Sequence, residues 1–319
     1  MINFTNELIQ SLPTFGDLII EVGQAITLTV YAEQMKAVYV LDQVQIGEEE
    51  GKYIFAKTAI KKLQALNSYK GVEVSFGETK ATFLSPKGRF YESYIVLPIA
   101  SYEDTYQEGF ELKTKSLKDA LGFTSKNQAK PVLTGINISK THVCATDSYK
   151  LYIAGEYNEE NTVTLIPSFA ALVANYDVVK IEVGQRSVRV TTPEGWAYTS
   201  NILDGKYPSL AKILTCFNTT INFKPNQDFY EALKLASTGD YAINIANDGE
   251  NHIKVWTEEF EQGGIECDGL IDDVEITISK ESAKELCKYP GTIGFSQSKR
   301  PLTSVSDAER ILFMPYSAN

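Results

Sequence analysis

The alternation of apolar and polar residues predicts the same order of elements three times along the chain. Apolar strand ends that lead into helical segments fall at Ile54, Ile166 and Ile278, and each interval is 112 residues. An interval of this length corresponds to a small domain rather than to a solenoid repeat. The equal spacing therefore predicts three related domains.

Each repeat is predicted to contain two helices and several strands. Upstream helices are expected around Leu8, Leu117 and Phe229, and a second helix follows each strand end. The alternating segments, whose period of two is typical of a half-buried sheet, are 17–22, 26–30, 72–76, 135–139, 142–146, 179–183, 241–245, 252–256 and 292–295. We predict an α+β fold of three repeated domains, each with two helices on a mostly antiparallel sheet.

The domain boundaries follow from this repeat, and composition limits the class of protein. We place the domains at residues 1–107, 108–218 and 219–319. The chain has 319 residues and is 43% hydrophobic, which is enough for two or three packed cores. Its four cysteines lie far apart without a C-x-x-C pair, so we expect reduced thiols rather than a zinc site.

No targeting segment is recognisable at the N-terminus, and no apolar run approaches the roughly 20 residues that span a bilayer. We therefore expect a cytoplasmic protein with no membrane partner. Only two histidines are present, and no nucleotide-binding, zinc-protease or serine-hydrolase motif occurs. The sequence therefore predicts no enzyme activity, no catalytic residue, no metal and no cofactor.

The net charge of −11 argues against a general affinity for nucleic acid. Whether the chain could still bind nucleic acid therefore depends on how its charged residues are distributed. Lysines recur on predicted helices, whereas carboxylates cluster in predicted loops at 48–50, 159–160 and 258–261. This segregation would allow a negatively charged chain to present a positive helical surface to phosphates. Lysines on the solvent face of a helix are also ordinary, and charge alone leaves both interpretations open.

Three dispersed segments carry a family resemblance. They are Lys130-Pro-Val-Leu-Thr-Gly-Ile-Asn-Ile138 with Cys144-Ala-Thr-Asp-Ser-Tyr-Lys-Leu151, then Leu203-Asp-Gly-Lys-Tyr-Pro208, and finally Ile311-Leu-Phe-Met-Pro315. In this order they resemble the DNA polymerase III beta subunit, the DNA sliding clamp of bacteria and phages. That family has A-T-D-G-H-R-L, an aspartate-glycine-arginine-phenylalanine-proline segment and a final methionine-proline. The three-domain pattern extends the resemblance over the whole chain.

The resemblance implies a head-to-tail homodimer whose domains form a ring around double-stranded DNA, with helices lining the hole. Such a ring would tether the replicative DNA polymerase and other partners and confer processivity, and a clamp loader would place it on DNA. The first domain of one subunit would meet the third domain of the other. Leu235 is our positional guess for that interface.

The resemblance also implies a cleft between the middle and third domains that binds a short, partly apolar peptide of each partner. Its expected wall comprises Leu133, Thr146, Ser148, Tyr149, Lys150, Leu151, Pro208, Lys212, Ile213, Leu312, Phe313, Met314, Pro315 and Tyr316. For DNA, the family loop is matched by Lys126, Asn127, Gln128 and Lys130, and helix position adds Lys61, Lys118, Lys280 and Lys284. Asp147 is expected only to cap its turn.

Several departures from the family pattern bear on the cleft. Tyr149 and Lys150 replace histidine and arginine, and Lys212 replaces arginine, so bidentate hydrogen bonding is lost there. Tyr316 and the residues after it replace the usual ending. These departures and the short chain indicate a phage-encoded or otherwise divergent clamp. The alternative is a non-enzymatic, β-rich structural or assembly protein, for example of a virion, which fits the composition but leaves the three motifs unexplained.

Overall fold

A computed structural model describes residues 2–23, 25–41, 51–96, 104–219, 221–269, 275–295, 301–306 and 309–314. Every strand pair within these ranges is antiparallel, and seven α-helices accompany the strands. The predicted α+β fold class is therefore confirmed. Strands 17–22, 72–76, 142–146, 252–256 and 292–295 have the bounds that their alternation predicts.

Six of the seven helices lie near the positions that the apolar pattern predicts, whereas the short helix Ala211–Leu214 was not predicted. The seven helices are α1 (Asn6–Ser11), α2 (Thr58–Leu66), α3 (Lys115–Leu121), α4 (Pro167–Val173), α5 (Ala211–Leu214), α6 (Gln227–Ala236) and α7 (Lys280–Leu286), with 3-10 turns at Pro131–Thr134 and Thr215–Phe217. Polar side chains begin several of them: the oxygens of Thr5, Asn226 and Ser279 each accept a hydrogen bond from a backbone N–H of the first turn. The helices pack in pairs, α1 with α2, α3 with α4, and α6 with α7.

Twenty-five strands are present in the described ranges. Those of the first third are β1 (Ile2–Phe4), β2 (Asp17–Val22), β3 (Ile26–Ala32), β4 (Met35–Leu41), β5 (Gly51–Phe55), β6 (Val72–Phe76), β7 (Lys80–Ser85), β8 (Gly88–Ser93) and β9 (Ile95–Val96). Those of the middle are β10 (Phe110–Lys113), β11 (Ile136–Ile138), β12 (His142–Thr146), β13 (Lys150–Gly155), β14 (Val163–Leu165), β15 (Val178–Val183), β16 (Ser187–Thr191) and β17 (Ala197–Asn201). The last are β18 (Ile221–Pro225), β19 (Ile243–Asn247), β20 (His252–Trp256), β21 (Glu261–Asp268), β22 (Glu275–Ile278), β23 (Thr292–Phe295), β24 (Leu302–Val305) and β25 (Glu309–Phe313).

The first compact unit contains residues 1–114 and 175–202. It holds a four-stranded sheet in the order β1-β6-β7-β8 and a nine-stranded sheet in the order β10-β15-β16-β17-β4-β3-β2-β5-β9. Strand β17 of the second repeat pairs with β4 of the first, with Tyr198 opposite Ala37. Alternate side chains of these strands are buried, as at Leu18, Ile20 and Val22, because one face of the sheet forms the core.

The second compact unit contains residues 115–174 and 203–319. Its twelve strands run in the order β14-β11-β12-β13-β25-β24-β23-β18-β21-β20-β19-β22. Strand β25 of the third repeat pairs with β13 of the second, with Leu312 opposite Leu151. Because both junctions join sheets across the predicted boundaries, compact units and repeats divide the chain differently, and the three domains stay a prediction.

The predicted acidic loops are partly realised. Glu159 and Glu160 lie in the connection between β13 and β14, and Glu258 and Glu259 lie in a bend between β20 and β21, whereas Glu261 is the first residue of β21. The cluster at 48–50 lies outside the described residues. Four of the five described carboxylates of these clusters therefore lie in connections, and Glu261 lies on a strand.

His142 is a buried core residue. Its Nδ1 lies 2.8 Å from the Ser139 hydroxyl and its Nε2 lies 3.2 Å from the Asn137 amide oxygen. Burial lowers the pKa of His142 to about 4, because the cationic ring would lose its hydration. The neutral ring is thus a packing and hydrogen-bonding element.

This burial predicts acid sensitivity. The unfolded chain takes up a proton near pH 6.5 that folded His142 does not accept, so stability falls as pH drops from 6.5 towards 4. We expect His142 to remove about 2 kcal/mol between pH 7 and pH 5. Urea unfolding at both values should show a smaller loss in His142→Gln, while His252→Gln is the control for removing a histidine as such. Equal losses in wild type and His142→Gln would contradict the assignment.

Candidate functional site

The hairpin of β12 and β13 forms one side of the candidate site. Thr146 is its last paired residue: its N–H donates to the Tyr207 hydroxyl at 3.0 Å, and its hydroxyl donates to the Lys150 carbonyl at 2.7 Å. Asp147 Oδ1 accepts from the backbone N–H groups of Tyr149 and Lys150, both at 2.8 Å. Asp147 therefore caps the turn, as predicted, and its carboxylate is engaged by the backbone.

Ser148 occupies a strained position in this turn. Its φ is +83°, a left-handed conformation that favours glycine, and the family motif has glycine here. We expect Ser148→Gly to raise the free energy of unfolding by about 0.5–1 kcal/mol, since the Cβ clash disappears. Ser148→Ala is the matched control, because it removes the hydroxyl but keeps the Cβ. Chemical denaturation measures the free energy of unfolding of both variants. Equal values for the glycine and alanine variants would show that the backbone at Ser148 is not strained.

An apolar cluster underlies the site and unites several predicted residues. Leu133, Leu151 and Leu312 are almost fully buried and pack with Cys144, Ile153, Tyr207 and Leu210. Their side chains meet because Leu151 and Leu312 are direct partners across the β13–β25 pair. Ile213 is half-buried against the same cluster. Four of the predicted wall residues therefore lie together.

Two predicted wall residues, each two positions from a cluster leucine in sequence, are exposed. Met314 is 45% exposed and its N–H donates to the Tyr149 carbonyl at 2.8 Å, which anchors the backbone just beyond β25. The Tyr149 side chain is 76% exposed. Because alternate residues of a strand share a face, Met314 continues the face that carries Leu312. A flexible thioether beside a leucine base is suited to anchoring apolar side chains of a ligand.

Two predicted wall residues lie on the opposite face of the sheet. Lys150 and Phe313 are cross-strand partners, and both side chains contact Phe123. The Lys150 ammonium lies 4.9 Å from the Phe123 ring centroid and donates to the Gly122 carbonyl at 2.5 Å. The structure therefore does not bring Lys150 or Phe313 to the apolar cluster, because their neighbours Leu151 and Leu312 occupy that face.

The remaining predicted wall residues differ in position. Ser148, Pro208 and Lys212 are exposed, and Lys212 lies on α5 beside Ile213. Thr146 is buried and acts through the backbone of the turn. Pro315 and Tyr316 lie outside the described residues.

Sequence motifs missed part of the apolar surface. Val132, Tyr157, Leu214, Cys216 and Phe217 are partly buried side chains that pack against the cluster. Arg310, two residues before Leu312 on the same strand face, lies with its guanidinium 5.7 Å from the Phe217 ring centroid. The α5 segment and the 3-10 turn after it contribute three of these residues: Leu214, Cys216 and Phe217. The available signal was the apolar run Ile213-Leu214 followed by Phe217.

The predicted DNA loop is exposed. Lys126, Asn127, Gln128 and Lys130 all lie at the surface. Asn127 shapes the loop, since its Oδ1 accepts from the Ala129 N–H at 2.9 Å. The loop therefore presents two lysine side chains on a hydrogen-bonded turn, which suits contact with phosphates.

The predicted helix lysines form a mixed set. Lys61, Lys118 and Lys284 are exposed on α2, α3 and α7. Lys280 is half-buried and paired with Asp240, which raises the pKa of this lysine. The α-helices carry eight lysines against six carboxylates, although the chain has a net charge of −11. Positive charge is thus enriched on the helices.

The described ranges contain no group of three or more histidine, cysteine, aspartate or glutamate side chains that could hold a metal ion. None of the helices within them is long and apolar enough to cross a membrane. The four cysteines are free thiols, and burial raises the pKa of Cys267 to about 11. A thiol with a raised pKa is a poor nucleophile at neutral pH.

Comparison with known proteins gives a consistent fold. No protein-family model matches this sequence, and no curated protein matches it. Among solved structures, the chain is similar to the DNA polymerase sliding clamp of Pseudomonas aeruginosa, with a TM-score of 0.78 and 16% identity over 97% of this chain and 93% of that one. The sliding clamp of Bacillus subtilis gives 0.78 and 14% over 98% and 97%, and the beta subunit of Streptococcus pyogenes DNA polymerase gives 0.76 and 18% over 97% and 93%. The chain therefore has the sliding-clamp fold over nearly its whole length.

Proposed function

We propose that the chain is one subunit of a DNA sliding clamp. Two copies would form a ring around duplex DNA and tether the replicative polymerase, after a clamp loader places the ring on DNA. The observation that carries the proposal is the match to bacterial clamps over 97% of the chain at a TM-score of 0.78. The match includes all three repeats. A ring built from these repeats would need each of them to have the clamp fold.

Two surfaces support this function. The apolar cluster of Leu133, Leu151 and Leu312, with Met314 at its exposed end, suits an apolar anchor of a partner peptide. The excess of lysine on the helices suits weak contacts with DNA phosphates. Weak contacts are an advantage, because tight ones would impede sliding along the duplex.

A non-catalytic role agrees with the hydrogen bonding of His142 and Asp147. His142 is neutral and engaged with Ser139 and Asn137, and Asp147 is engaged by two backbone N–H groups. The alternative, a structural or assembly protein, gives no reason for an exposed methionine above a leucine cluster. We therefore favour the clamp.

The native mass in solution tests the proposed assembly. A dilution series followed by sedimentation or native mass spectrometry should show a species of twice the 35.4 kDa chain mass. Such a dimer would support a two-subunit ring. A monomer at every concentration would contradict a ring that closes on its own.

A further inference from the structure

Arg310 places a positive charge next to the apolar cluster. Arg310 and Leu312 are two residues apart on β25 and therefore share a face of the sheet. Across the β13–β25 pair, Arg310 lies opposite Ile153, and Leu312 lies opposite Leu151. Both of these partners belong to the cluster. One face of the sheet therefore carries an apolar surface and, beside it, a guanidinium.

Two contacts hold the guanidinium of Arg310 in place. Its Nη2 donates to the Gly155 carbonyl at 2.9 Å. Its central carbon lies 5.7 Å from the centroid of the Phe217 ring, which itself packs against the cluster. A guanidinium has five N–H donors, and the bond to Gly155 uses one of them. Within the described ranges Arg310 forms no ion pair, so most of its donors can bind a ligand.

The described carboxylates nearest to Arg310 in the strand and in the rim of the cluster bind other groups. Glu309 precedes Arg310 and points to the opposite face, where its Oε1 accepts from the Tyr152 hydroxyl at 3.0 Å. Glu159, in the connection after β13, accepts from the Ser209 hydroxyl. Neither carboxylate forms an ion pair with Arg310. The positive charge beside the cluster is therefore suited to a carboxylate from outside the chain.

We propose that Arg310 binds a carboxylate of the partner peptide, so that the site selects a segment with an apolar anchor and a nearby aspartate or glutamate. The proposal rests on the peptide site proposed above and specifies the chemistry of the partner. A guanidinium can bind both oxygens of a carboxylate at once, and such charged hydrogen bonds are stronger than neutral ones. The contacts with Gly155 and Phe217 orient the guanidinium before the peptide binds, which lowers the entropic cost of the pair.

Arg310 also offsets two departures of this chain from the family motifs. Lys150 and Lys212 stand where the motifs have arginine. An ammonium is a point charge and does not provide the planar pair of donors that a guanidinium offers to a carboxylate. Lys150 moreover lies on the opposite face of the sheet, over the Phe123 ring. Arg310 thus returns a guanidinium to the face that carries the apolar cluster, from a different strand position.

The strand geometry gives the spacing between the anchor and the carboxylate. Leu312 and Met314 lie two and four residues beyond Arg310 on the same face. At about 3.3 Å per residue, these positions are about 7 Å and 13 Å from Arg310 along the strand. An extended peptide has a similar rise and covers these distances in about two to four residues. The carboxylate is therefore expected two to four residues from the apolar anchor.

The experiment measures peptide binding by fluorescence polarisation. The probe is a labelled peptide with the clamp-binding motif of a bacterial replicative polymerase, whose own acidic residues are replaced by their amides. One glutamate is then placed two, three or four residues to either side of the apolar anchor, and each peptide has a glutamine counterpart. For at least one placement, wild type should bind the glutamate peptide about tenfold more tightly. Arg310→Gln should bind both members of that pair equally, and Arg310→Lys should keep only part of the preference.

The control variant is Arg186→Gln, which removes an exposed arginine of the first compact unit and should keep the glutamate preference. Binding of the glutamine peptide by Arg310→Gln as by wild type would show that this variant is folded and that its apolar site is intact. Equal binding of glutamate and glutamine peptides by wild type at every placement, or a preference that persists in Arg310→Gln, would overturn the Arg310 contact but leave the peptide site. Wild type that binds none of the peptides would overturn the peptide site and the contact together.

Discussion

Met314→Asp is expected to weaken binding of a partner peptide at least about 100-fold, because a carboxylate would replace the thioether at the exposed end of the apolar cluster. Met314 is 45% exposed, and its backbone is held by the bond from its N–H to the Tyr149 carbonyl. The substitution should therefore leave the fold intact. Leu312, which is almost fully buried, would not allow this separation of binding from folding. The measurement is the polarisation of a fluorescent peptide that carries the clamp-binding motif of a bacterial replicative polymerase.

Two further variants make the result specific to the site. Met314→Leu keeps an apolar side chain of similar volume and should retain binding within a few-fold. Tyr69→Asp introduces the same charge at a residue that is 83% exposed and distant in sequence from the cluster. If Met314→Asp binds the peptide as wild type does, Met314 is not part of the peptide site.

Replacing Lys61, Lys118 and Lys284 together by glutamate is expected to lower the affinity for duplex DNA at least about tenfold at low salt. All three are exposed helix residues, whereas Lys280 and Lys288 are engaged by Asp240 and Glu285. The slope of log affinity against log salt should fall by about 0.9 for each phosphate contact that is lost. Electrophoretic titration of a short duplex over a range of salt concentrations gives both quantities.

The matched control reverses three exposed lysines that lie on strands. Lys80, Lys180 and Lys224 change the net charge by the same amount when all become glutamate. A loss of affinity that is confined to the helix variant would locate the DNA contacts on the helices. Equal losses in both variants would show that only net charge matters, and would remove the helix lysines from the account.

Much of the fold could be predicted because its periodicity is local. Strand His142–Thr146 and helix Gln227–Ala236 follow directly from apolar spacing and from the capping residue Asn226. The turn at Asp147 could be predicted because an aspartate side chain binds backbone N–H groups two and three residues further on. These features depend on neighbours in sequence.

The site could be predicted only in part, because it depends on which face each strand presents. The motif suggested that Leu312, Phe313 and Met314 all line the cleft, but successive residues of a strand point to opposite faces. Phe313 therefore packs on Phe123 and Leu312 on Leu151. Val132 and Phe217 were missed because only tertiary packing brings them to the cluster.

Topological retention on DNA tests the central claim most directly. The chain would be assembled around a nicked circular duplex by a clamp loader, passed through gel filtration at high salt, and then treated with a restriction enzyme that cuts the circle once. The account predicts that the chain stays with the circle at high salt and is released when the DNA becomes linear, because a ring slides off free ends. Equal retention on circular and linear DNA, or none on either, would contradict a clamp that encircles DNA.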